Sequence, residues 1–502
     1  MIARTIQICG TGSGVGKSVM VAGLCRIFLQ DGFSVAPFKA QNMALNSAVT
    51  PDGLEIGRAQ AMQAEACKVD PDVDMNPVLL KPTSDVGSQV IIKGKPYKNM
   101  TVMEYHDYKT EVLGIIKDSL NRLMSKYDIV VIEGAGSPAE INLKSRDIVN
   151  LKIASMINAP VLLIGDIDKG GVFAWLVGTL ELLEEDEKQL IKAFIINKFR
   201  GDKSLLYDGL TILEERTGKR VMGVVPYYKD IRLPEEDSLF FEKAQVRKGR
   251  EVGSHEIDIV VVRLPHISNF TDFDILDMEE GVSIEYSTEI NRIKRSDVII
   301  IPGSKNTLTD MKFLIEKGIA DVIKERAGQG TCIIGICGGY QILGKRLNDR
   351  SGVESASITM DGLGLLDLET EFMEEKNTFQ VEGRDLIKGY PIKGYEIHHG
   401  ETKRIKNLKP FCLIEKRGSR DVHLEDGAIS PDGKIFGTYI HGIFDNNDFR
   451  RWFINNIRKE KGLDALESGQ GFSQDREYDR LAELLRSNLD MDLLYKIMNI
   501  RN

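Results

Sequence analysis

A glycine-rich stretch near the start of the chain has the residue types and spacing that bind phosphate. Residues 9–18 read Cys-Gly-Thr-Gly-Ser-Gly-Val-Gly-Lys-Ser and follow a short apolar run. Glycines let successive backbone N–H groups turn toward phosphate oxygens, the lysine reaches the β- and γ-phosphates, and the serine hydroxyl can ligate Mg²⁺. We therefore predict an ATP site formed by Thr11, Gly12, Ser13, Gly14, Val15, Gly16, Lys17 and Ser18. The alternative, a glycine-rich connector without a ligand, leaves Gly-Lys-Ser at a strand-to-helix junction unexplained.

Two acidic stretches are candidates for the metal that accompanies a nucleotide. Glu133 ends an apolar run and is followed by small residues, which suits a Mg²⁺ ligand beside Ser18. The alternative role for Glu133 is that of a helix-capping carboxylate. Asp166, Asp168 and Lys169 lie in a turn after another apolar run, where they could contact the metal, the transferred phosphate or a substrate. The alternative there is an ordinary acidic turn.

A second candidate site centres on Cys337, which lies in the run Gly-Ile-Cys-Gly-Gly at residues 335–339. A strand that ends at a nucleophile turns sharply into a helix and needs small neighbours. The helix N-terminus lowers the pKa of the thiol, and nearby N–H groups can hold an oxyanion. We predict Gly338 and Gly303 as the sources of those N–H groups, since Gly303 lies in a tight turn after another strand.

A thiol nucleophile needs a base, and His441 has the most suitable setting, at the end of a predicted strand. His398 and His399 form a competing pair, for which we expect a structural role or a place at the substrate face. A nucleotide site and a thiol nucleophile in one chain indicate two coupled half-reactions. ATP would activate an acid, and the thiol would release the nitrogen that attacks it.

The elements that must position these residues alternate between apolar strands and helix-length segments. Strands are predicted at 6–9, 35–38, 129–133, 161–165 and 193–197, with helices at 19–30, 54–67 and 102–126. A second series of strands is predicted at 257–264, 298–301, 332–336 and 435–440. This alternation predicts α/β architecture with two doubly wound domains. We place the first domain at 1–235, a charged linker at 236–255, the second domain at 256–449 and a helical extension at 450–502.

Composition limits the function classes. The chain has 502 residues, a net charge of −9 and six cysteines without a CxxC pair. These values argue against a nucleic-acid surface, a zinc knuckle and a disulfide framework. Since no apolar run approaches the ~20 residues that cross a bilayer and no leader is visible, a cytoplasmic location without a membrane partner is expected.

Taken together, these motifs resemble the class I glutamine amidotransferases, in the form fused to a P-loop domain in cobyrinate-amidating enzymes. The resemblance covers nearly the whole chain and is carried by four stretches, residues 10–18, 37–43, 168–173 and 439–442. The phosphate loop, with Thr11 in place of the usual first glycine, resembles the branch that includes dethiobiotin synthetase. The second stretch adds Lys39, Gln41 and Asn42 as candidates for contacting the substrate or phosphate.

The resemblance implies a glutamine-hydrolysing ligase that uses ATP and Mg²⁺. The implied reaction amidates the b, d, e and g carboxylates of adenosylcobyrinic acid a,c-diamide. Cys337 and His441 would release ammonia, and the phosphate-loop domain would activate the carboxylates. The implied partners are glutamine, ATP and a corrinoid a,c-diamide, and assembly of identical chains stays open.

Two alternative functions stay open, and at one position the sequence differs from the pattern of most class I amidotransferases. A related amidase that modifies the a and c carboxylates shares the architecture, but the stretch at 39–43 resembles it less. A partitioning-type regulatory ATPase would carry a lysine in place of Gly12 and would lack the Cys337 motif. Most class I enzymes have Glu two residues after the histidine, whereas this chain has Ile443. The cobyrinate branch shares that lack, so a Cys–His dyad is expected and the group that orients His441 stays open.

Overall fold

The computed structural model describes residues 3–500 except 85–86, 145–146, 229–230, 232, 234–255, 355–357, 406–407 and 468–472. The chain divides into two compact units. Unit 1 comprises Met1–Ala44, Glu55–Asp237 and Ser473–Asn502, and unit 2 comprises Leu45–Leu54 and Ser238–Phe472. The prediction of α/β architecture is confirmed in both units. The whole of the predicted linker at 236–255 lies outside the described residues.

Unit 1 is built on a parallel sheet of six strands. In spatial order the strands are Arg220–Pro226, Ile191–Phe199, Val161–Asp166, Arg4–Gly10, Ile129–Glu133 and Val35–Phe38. Most positions of the central strands are apolar and buried, as expected for a sheet covered on both faces. Because parallel strands end at the same edge, the polar turns after them lie together there.

Helices and a smaller sheet complete unit 1. The helices are Lys17–Gln30, Arg58–Ala66, Val102–Lys126, Leu151–Ile157, Val172–Glu181, Glu185–Leu190, Tyr207–Thr217, Gln474–Arg486 and Met491–Ile497. The smaller sheet contains Gln41–Met43, Val78–Ser84, Gly87–Ile92 and Lys95–Thr101. The helix predicted at 54–67 is wrong at its start, because Glu55–Gly57 forms a strand and the helix begins at Arg58.

The C-terminal helix Gln474–Arg486 packs against the Lys17–Gln30 helix of the same unit. Gly23 permits the close approach, since a Cβ there would lie 2.3 Å from Leu485 Cδ1. The buried guanidinium of Arg26 pairs with Asp475 and with Asp479, the latter at 3.3 Å. The residues from 473 onward therefore belong to unit 1, whereas the predicted boundaries set 450–502 apart as an extension.

Unit 2 is built on a second sheet, of which five strands are parallel. In spatial order the strands are Val282–Ser287, Ile257–Val262, Val298–Ile301, Cys332–Ile336, Ile435–Thr438 and the antiparallel Ala428–Ile429. The helices are Asp274–Asp277, Ile290–Arg295, Thr307–Glu316, Ile319–Gly328, Gly338–Leu343 and Asn447–Glu460. Large side chains fill the layer between this sheet and the last helix, with Phe436 stacked on Phe411 and Phe453 packed against Phe436.

A mainly antiparallel sheet forms the rest of unit 2. It contains Ile358–Asp361, Arg346–Asp349, Leu368–Asp385, Pro391–Arg404, Cys412–Arg417 and Arg420–Asp426. These strands were not predicted from the sequence. Among the described helices, none combines the length and apolar character needed to cross a membrane.

Candidate active sites

The phosphate loop of unit 1 connects the central strand Arg4–Gly10 to the Lys17–Gln30 helix. Gly14 and Gly16 adopt φ values of 71° and 99°, in the left-handed region that favours glycine. A Cβ at Gly16 would lie 2.4 Å from Asn197 Nδ2, whose amide donates to the Val15 carbonyl at 2.9 Å. Backbone conformation and space therefore both require glycine at position 16.

The polar side chains of this loop are held close to it. Lys17 Nζ donates to the carbonyls of Gly12 at 2.8 Å and Gly136 at 3.1 Å. The hydroxyl of Thr11 is buried and has no hydrogen-bond partner in the part of the chain that the structure describes. Ser18 Oγ donates to Glu133 Oε1 at 2.8 Å. The predicted metal pair, Ser18 and Glu133, is thus brought together by two neighbouring strands.

Glu133 is the centre of a buried network. Its Oε1 also accepts from Lys39 Nζ at 2.8 Å, and its Oε2 accepts from the amide of Gln63. Burial taken alone raises the pKa of Glu133, but the charge of Lys39 and the hydrogen bonds from Lys39, Gln63 and Ser18 outweigh it and lower the pKa. The carboxylate is therefore ionised, and its bonds are to side chains, which differs from the helix-capping alternative.

The acidic turn after Val161–Asp166 contacts the phosphate loop through a lysine that the sequence analysis missed. Lys198 Nζ donates to Asp166 Oδ2 at 3.0 Å and to the Gly14 carbonyl at 2.5 Å. Asp168 instead pairs with Arg200 at 2.7 Å, and Lys169 is exposed. Asp166 is therefore linked to the phosphate loop through Lys198, whereas Asp168 and Lys169 are exposed at the surface of the turn.

The other two residues of the predicted substrate stretch, Gln41 and Asn42, do not share the contacts of Lys39 that are described above. Gln41 and Asn42 lie on the short strand Gln41–Met43 of the smaller sheet. Gln41 Oε1 accepts from the hydroxyl of Tyr105 at 2.6 Å, and Asn42 Nδ2 donates to Gln60 Oε1 at 3.0 Å. Of these three residues, Lys39 bonds to Glu133, whereas Gln41 bonds to Tyr105 and Asn42 to Gln60.

In unit 2, Cys337 occupies a strained turn between the strand Cys332–Ile336 and the helix Gly338–Leu343. Its backbone has φ 52° and ψ −109°, which a non-glycine residue rarely adopts. At Gly339 a Cβ would lie 1.9 Å from the Ile301 carbonyl oxygen, so no larger residue fits there. The Cys337 side chain is 5% exposed, and its thiol donates to the Ile397 carbonyl at 3.5 Å. This is the geometry of a nucleophile elbow.

His441 lies against this thiol and is oriented by an aspartate that the sequence analysis did not identify. Its Nδ1 is 2.6 Å from Asp272 Oδ2, and both side chains are buried. Burial lowers the pKa of His441, but the charge of Asp272 and the interactions with Cys337 outweigh it and raise the pKa from 6.5 to about 10. The buried carboxylate thus favours the protonated form of the imidazole, and the Cys337 sulfur interacts with the same ring.

The two glycines proposed as oxyanion donors lie in turns that touch. A Cβ at Gly338 would lie 2.9 Å from the backbone nitrogen of Ser304, which follows Gly303. A Cβ at Gly303 would lie 3.2 Å from His441 Cε1. The structure therefore brings both predicted turns, the thiol and the imidazole to one edge of the parallel sheet.

The competing histidines have other surroundings. His398 stacks on Tyr439 with ring centroids 3.7 Å apart, and its Nδ1 is 3.1 Å from the Gly400 carbonyl. His399 Nδ1 is 3.2 Å from the Met373 carbonyl, and burial is the main cause that lowers its pKa to about 4. Burial raises the pKa of the other cysteine in the strand, Cys332, to about 12, which leaves it a neutral thiol.

Asp272, Lys198 and Gln63 are the residues of these sites that the sequence analysis missed. Asp272 is 169 residues from His441 along the chain, and Gln63 is 70 residues from Glu133. A signal existed for Asp272, because it follows the strand Ile257–Val262 and the turns after parallel strands lie at one edge. Lys198 gave no comparable signal, since it lies within the strand Ile191–Phe199.

Comparisons with known proteins match both units. A model described as the CobQ/CobB/MinD/ParA nucleotide binding domain matches residues 6–240, and one described as the CobB/CobQ-like glutamine amidotransferase domain matches residues 258–449. These matches confirm a nucleotide-binding fold in the first part of the chain and an amidotransferase fold in the second. A crystal structure of a glutamine amidotransferase covers 41% of this chain and 99% of its own, at 15% identity and a TM-score of 0.31, values too low to support an inference.

Curated relatives match the chain over almost its whole length. Cobyric acid synthase from Thermoanaerobacter sp. (strain X514) is 50% identical, covering 99% of this chain and 99% of that protein. The cobyric acid synthases of Dehalococcoides mccartyi (strain CBDB1) and Alkaliphilus metalliredigens (strain QYMF) are 49% and 50% identical, covering 99% and 98% of this chain. This chain therefore belongs to the cobyric acid synthase family, whose members are glutamine-hydrolysing ligases.

Proposed function

We propose that this chain uses ATP and glutamine to amidate the b, d, e and g carboxylates of adenosylcobyrinic acid a,c-diamide, giving adenosylcobyric acid. The observation that carries the proposal is the buried arrangement of Cys337, His441 and Asp272, in a chain that also carries a phosphate loop. One arrangement releases nitrogen, and the other activates an acid. The partners are small molecules, and the cytoplasm supplies ATP, glutamine and the reducing conditions that keep a thiol free.

Ammonia release begins with a thiolate–imidazolium pair. His441 holds the proton that Cys337 has given up, and Asp272 stabilises the resulting imidazolium and fixes its ring orientation. The sulfur attacks the carboxamide carbon of glutamine, and backbone N–H groups at Gly303 and Gly338 stabilise the oxyanion. The C–N bond then breaks as His441 protonates the departing nitrogen. Water hydrolyses the thioester to glutamate and restores the thiol.

Carboxylate activation takes place at the phosphate loop. A corrin carboxylate oxygen attacks the γ-phosphorus of ATP, ADP leaves, and an acyl phosphate forms. Lys17 and the loop N–H groups bind the phosphate oxygens, and the hydroxyl of Thr11 is a further donor without a described partner. Ammonia attacks the acyl carbon, the carbon–oxygen bond breaks, and phosphate leaves with the electron pair. Catalysis at this site consists mainly of positioning and charge neutralisation.

Ser18 and Glu133 are the residues that would hold Mg²⁺. Their oxygens are 2.8 Å apart, and Glu133 is ionised, which suits a hard cation that takes few protein ligands and completes its shell with phosphate and water. When bound, Mg²⁺ neutralises charge on the β- and γ-phosphates. No group of three or more His, Cys, Asp or Glu side chains that could form a protein-only metal cage occurs in the described ranges, consistent with a site completed by the nucleotide.

Mass spectrometry of the corrinoid tests the proposal. The protein is incubated with adenosylcobyrinic acid a,c-diamide, ATP·Mg²⁺ and glutamine labelled with ¹⁵N at the side-chain amide. The expected product has gained four labelled nitrogens, in steps that stop when ATP is omitted. Incorporation of two nitrogens into cobyrinic acid, with none into the a,c-diamide, would instead identify the related a,c-amidase. Glutamine hydrolysis without any corrinoid product would refute the acceptor and leave the thiol chemistry standing.

A further inference from the structure

The segment Leu45–Leu54 belongs to unit 2, although the residues on both sides of it in the chain belong to unit 1. Within unit 2 its strand Ser47–Val49 is buried. Val49 clusters with Tyr395 and Ile397, and the Val49 carbonyl accepts from Gln380 Nε2 at 2.7 Å. A segment from the first 54 residues of the sequence is thus part of the core around the thiol site.

Asn269 links this segment to the surroundings of His441. Asn269 is buried with φ 51°, a left-handed conformation that Asn tolerates better than most residues. Its Oδ1 accepts from the backbone N–H of Ser47 at 3.3 Å, and its Nδ2 donates to the hydroxyl of Tyr395 at 3.2 Å. Tyr395 in turn stacks on the imidazole of His441 with centroids 5.2 Å apart and planes 16° apart.

Asn46 holds the turn that carries Asp272. Its Oδ1 accepts from the backbone N–H of Phe270 at 3.1 Å. Phe270 begins the 3₁₀ turn Phe270–Phe273, and the hydroxyl of Tyr286 donates to the Phe270 carbonyl at 2.7 Å. Asp272 lies two residues further along this turn, so the bond from the Phe270 N–H to Asn46 fixes the start of the element that places the carboxylate beside His441 Nδ1.

We propose that Asn46 and Asn269 are positioning residues for glutamine hydrolysis, through which the segment Leu45–Leu54 holds Asp272 and Tyr395 against His441. This proposal rests on the proposed function, because the orientation of His441 matters for catalysis only if His441 is the base that activates Cys337. It locates the determinants of ammonia release partly in the first 54 residues of the chain, outside the region 258–449 that matches the amidotransferase model.

The test measures glutamate release from glutamine by the full chain, across pH, for Asn46→Ala and Asn269→Gly. Glycine at 269 keeps the left-handed backbone and removes only the side chain. We expect kcat to fall by about 10- to 100-fold with little change in KM for glutamine, because a small misplacement of a catalytic group has this effect. We also expect the alkaline limb of the pH profile to move to lower pH, because a displaced Asp272 stabilises the imidazolium less.

Controls separate positioning from loss of structure. Asn455→Ala removes a side-chain amide of unit 2 that hydrogen-bonds to the backbone N–H and the backbone carbonyl of Leu466. This control should leave kcat and the pH profile unchanged. Asn46→Asp retains the acceptor oxygen and should restore most of the lost rate. If one of the two variants is too unstable to assay, the other still tests whether the segment Leu45–Leu54 orients His441. The rate at which Cys337 is alkylated, measured across pH, gives the pH dependence of thiolate formation without any need for catalysis.

The proposal is overturned if both variants keep the wild-type kcat and alkaline limb, or if they lose activity by the same factor at every pH and Asn46→Asp restores nothing. Hydrolysis of glutamine to glutamate and ammonia consumes only glutamine and water, so the assay contains no corrinoid. A wild-type protein that hydrolyses glutamine but amidates no corrinoid would therefore refute the proposed acceptor, and this test could still be read.

Discussion

Replacing Asp272 with Asn removes the negative charge beside His441 while nearly preserving the shape of the side chain. The carboxylate lies 2.6 Å from Nδ1, and both groups are buried, so little water is present to compensate for its loss. An amide at this position can also donate to Nδ1, which would favour the wrong tautomer of the imidazole. Both effects oppose transfer of the Cys337 proton to His441.

The expected magnitude follows from the pKa of His441. Burial lowers this pKa, yet Asp272 and Cys337 raise it from 6.5 to about 10. A rise of this size corresponds to about 5 kcal/mol in favour of the imidazolium. Asp272 is the larger of the two raising causes, so its loss should lower the pKa of His441. We therefore expect kcat for glutamine hydrolysis to fall by about 10²- to 10³-fold.

The sign of the pH dependence is fixed by the direction of the pKa shift. The pair of Cys337 and His441 must hold one proton, which is lost as pH rises through the raised pKa of the imidazolium. Wild-type activity should therefore persist up to about pH 10 at its alkaline limb, and the limb of Asp272→Asn should lie at lower pH. Glutamate release at saturating glutamine, measured from pH 6 to 10.5, gives both limbs.

Asp385→Asn serves as the matched control in the same unit. Asp385 is buried and accepts from the backbone N–H groups of Ile387, Lys388 and Tyr390. Its replacement should lower the free energy of unfolding without moving the alkaline limb. The reasoning is refuted if Asp272→Asn hydrolyses glutamine within about threefold of the wild-type rate, or if its alkaline limb coincides with that of the wild type.

Three further substitutions test other parts of the account. Gly16→Ala places a Cβ 2.4 Å from Asn197 Nδ2 at φ 99° and should abolish ATP binding in equilibrium titration, while glutamate release remains; retained binding would contradict the loop geometry. Glu133→Gln removes the ionised partner of Ser18 and Lys39 and should lower ATP-dependent amidation by at least about tenfold, with no effect on glutamine hydrolysis; equal loss of both activities would contradict separate sites. In Gly23→Ala the new Cβ would lie 2.3 Å from Leu485 Cδ1, so this variant should have a free energy of unfolding lower by about 1–3 kcal/mol. Gly114 lies in a different helix, and a Cβ there would have no atom within 4 Å, so Gly114→Ala should raise the free energy of unfolding by up to about 1 kcal/mol. Thermal unfolding that ranks the two variants in the reverse order would refute the helix packing.

Local sequence signals were sufficient for the elements that carry the two motifs. A phosphate loop and a nucleophile elbow each depend on a few adjacent residues, because a turn between a strand and a helix is a local backbone problem. The run at 335–339 accordingly predicted a turn at Cys337, and the structure shows that residue with φ 52°. Glu133 was predicted as the metal partner of Ser18 from its place at the end of an apolar strand, and that strand pairs in parallel with the one that precedes the phosphate loop.

Contacts between distant parts of the chain could not be read in this way. Asp272 reaches His441 across 169 residues, and Asn269 reaches Ser47 across 222. The long strands Leu368–Asp385 and Pro391–Arg404 were missed because they carry many charged residues and leave many positions exposed, which weakens the apolar alternation. The helical character of the C-terminal residues was visible, but its packing on the Lys17–Gln30 helix depends on a close approach at Gly23 that no local pattern announces.

The most direct test of the central claim, that one chain makes ammonia at Cys337 and uses it at the phosphate loop, is the mass of the corrinoid product formed by Cys337→Ala. The variant is given the a,c-diamide and ATP·Mg²⁺ with either glutamine or ammonium chloride. We expect no amidation with glutamine and four added amides with ammonium, because only the thiol half is lost. Amidation from glutamine by this variant, or failure with ammonium by a folded protein that still binds ATP, would contradict it.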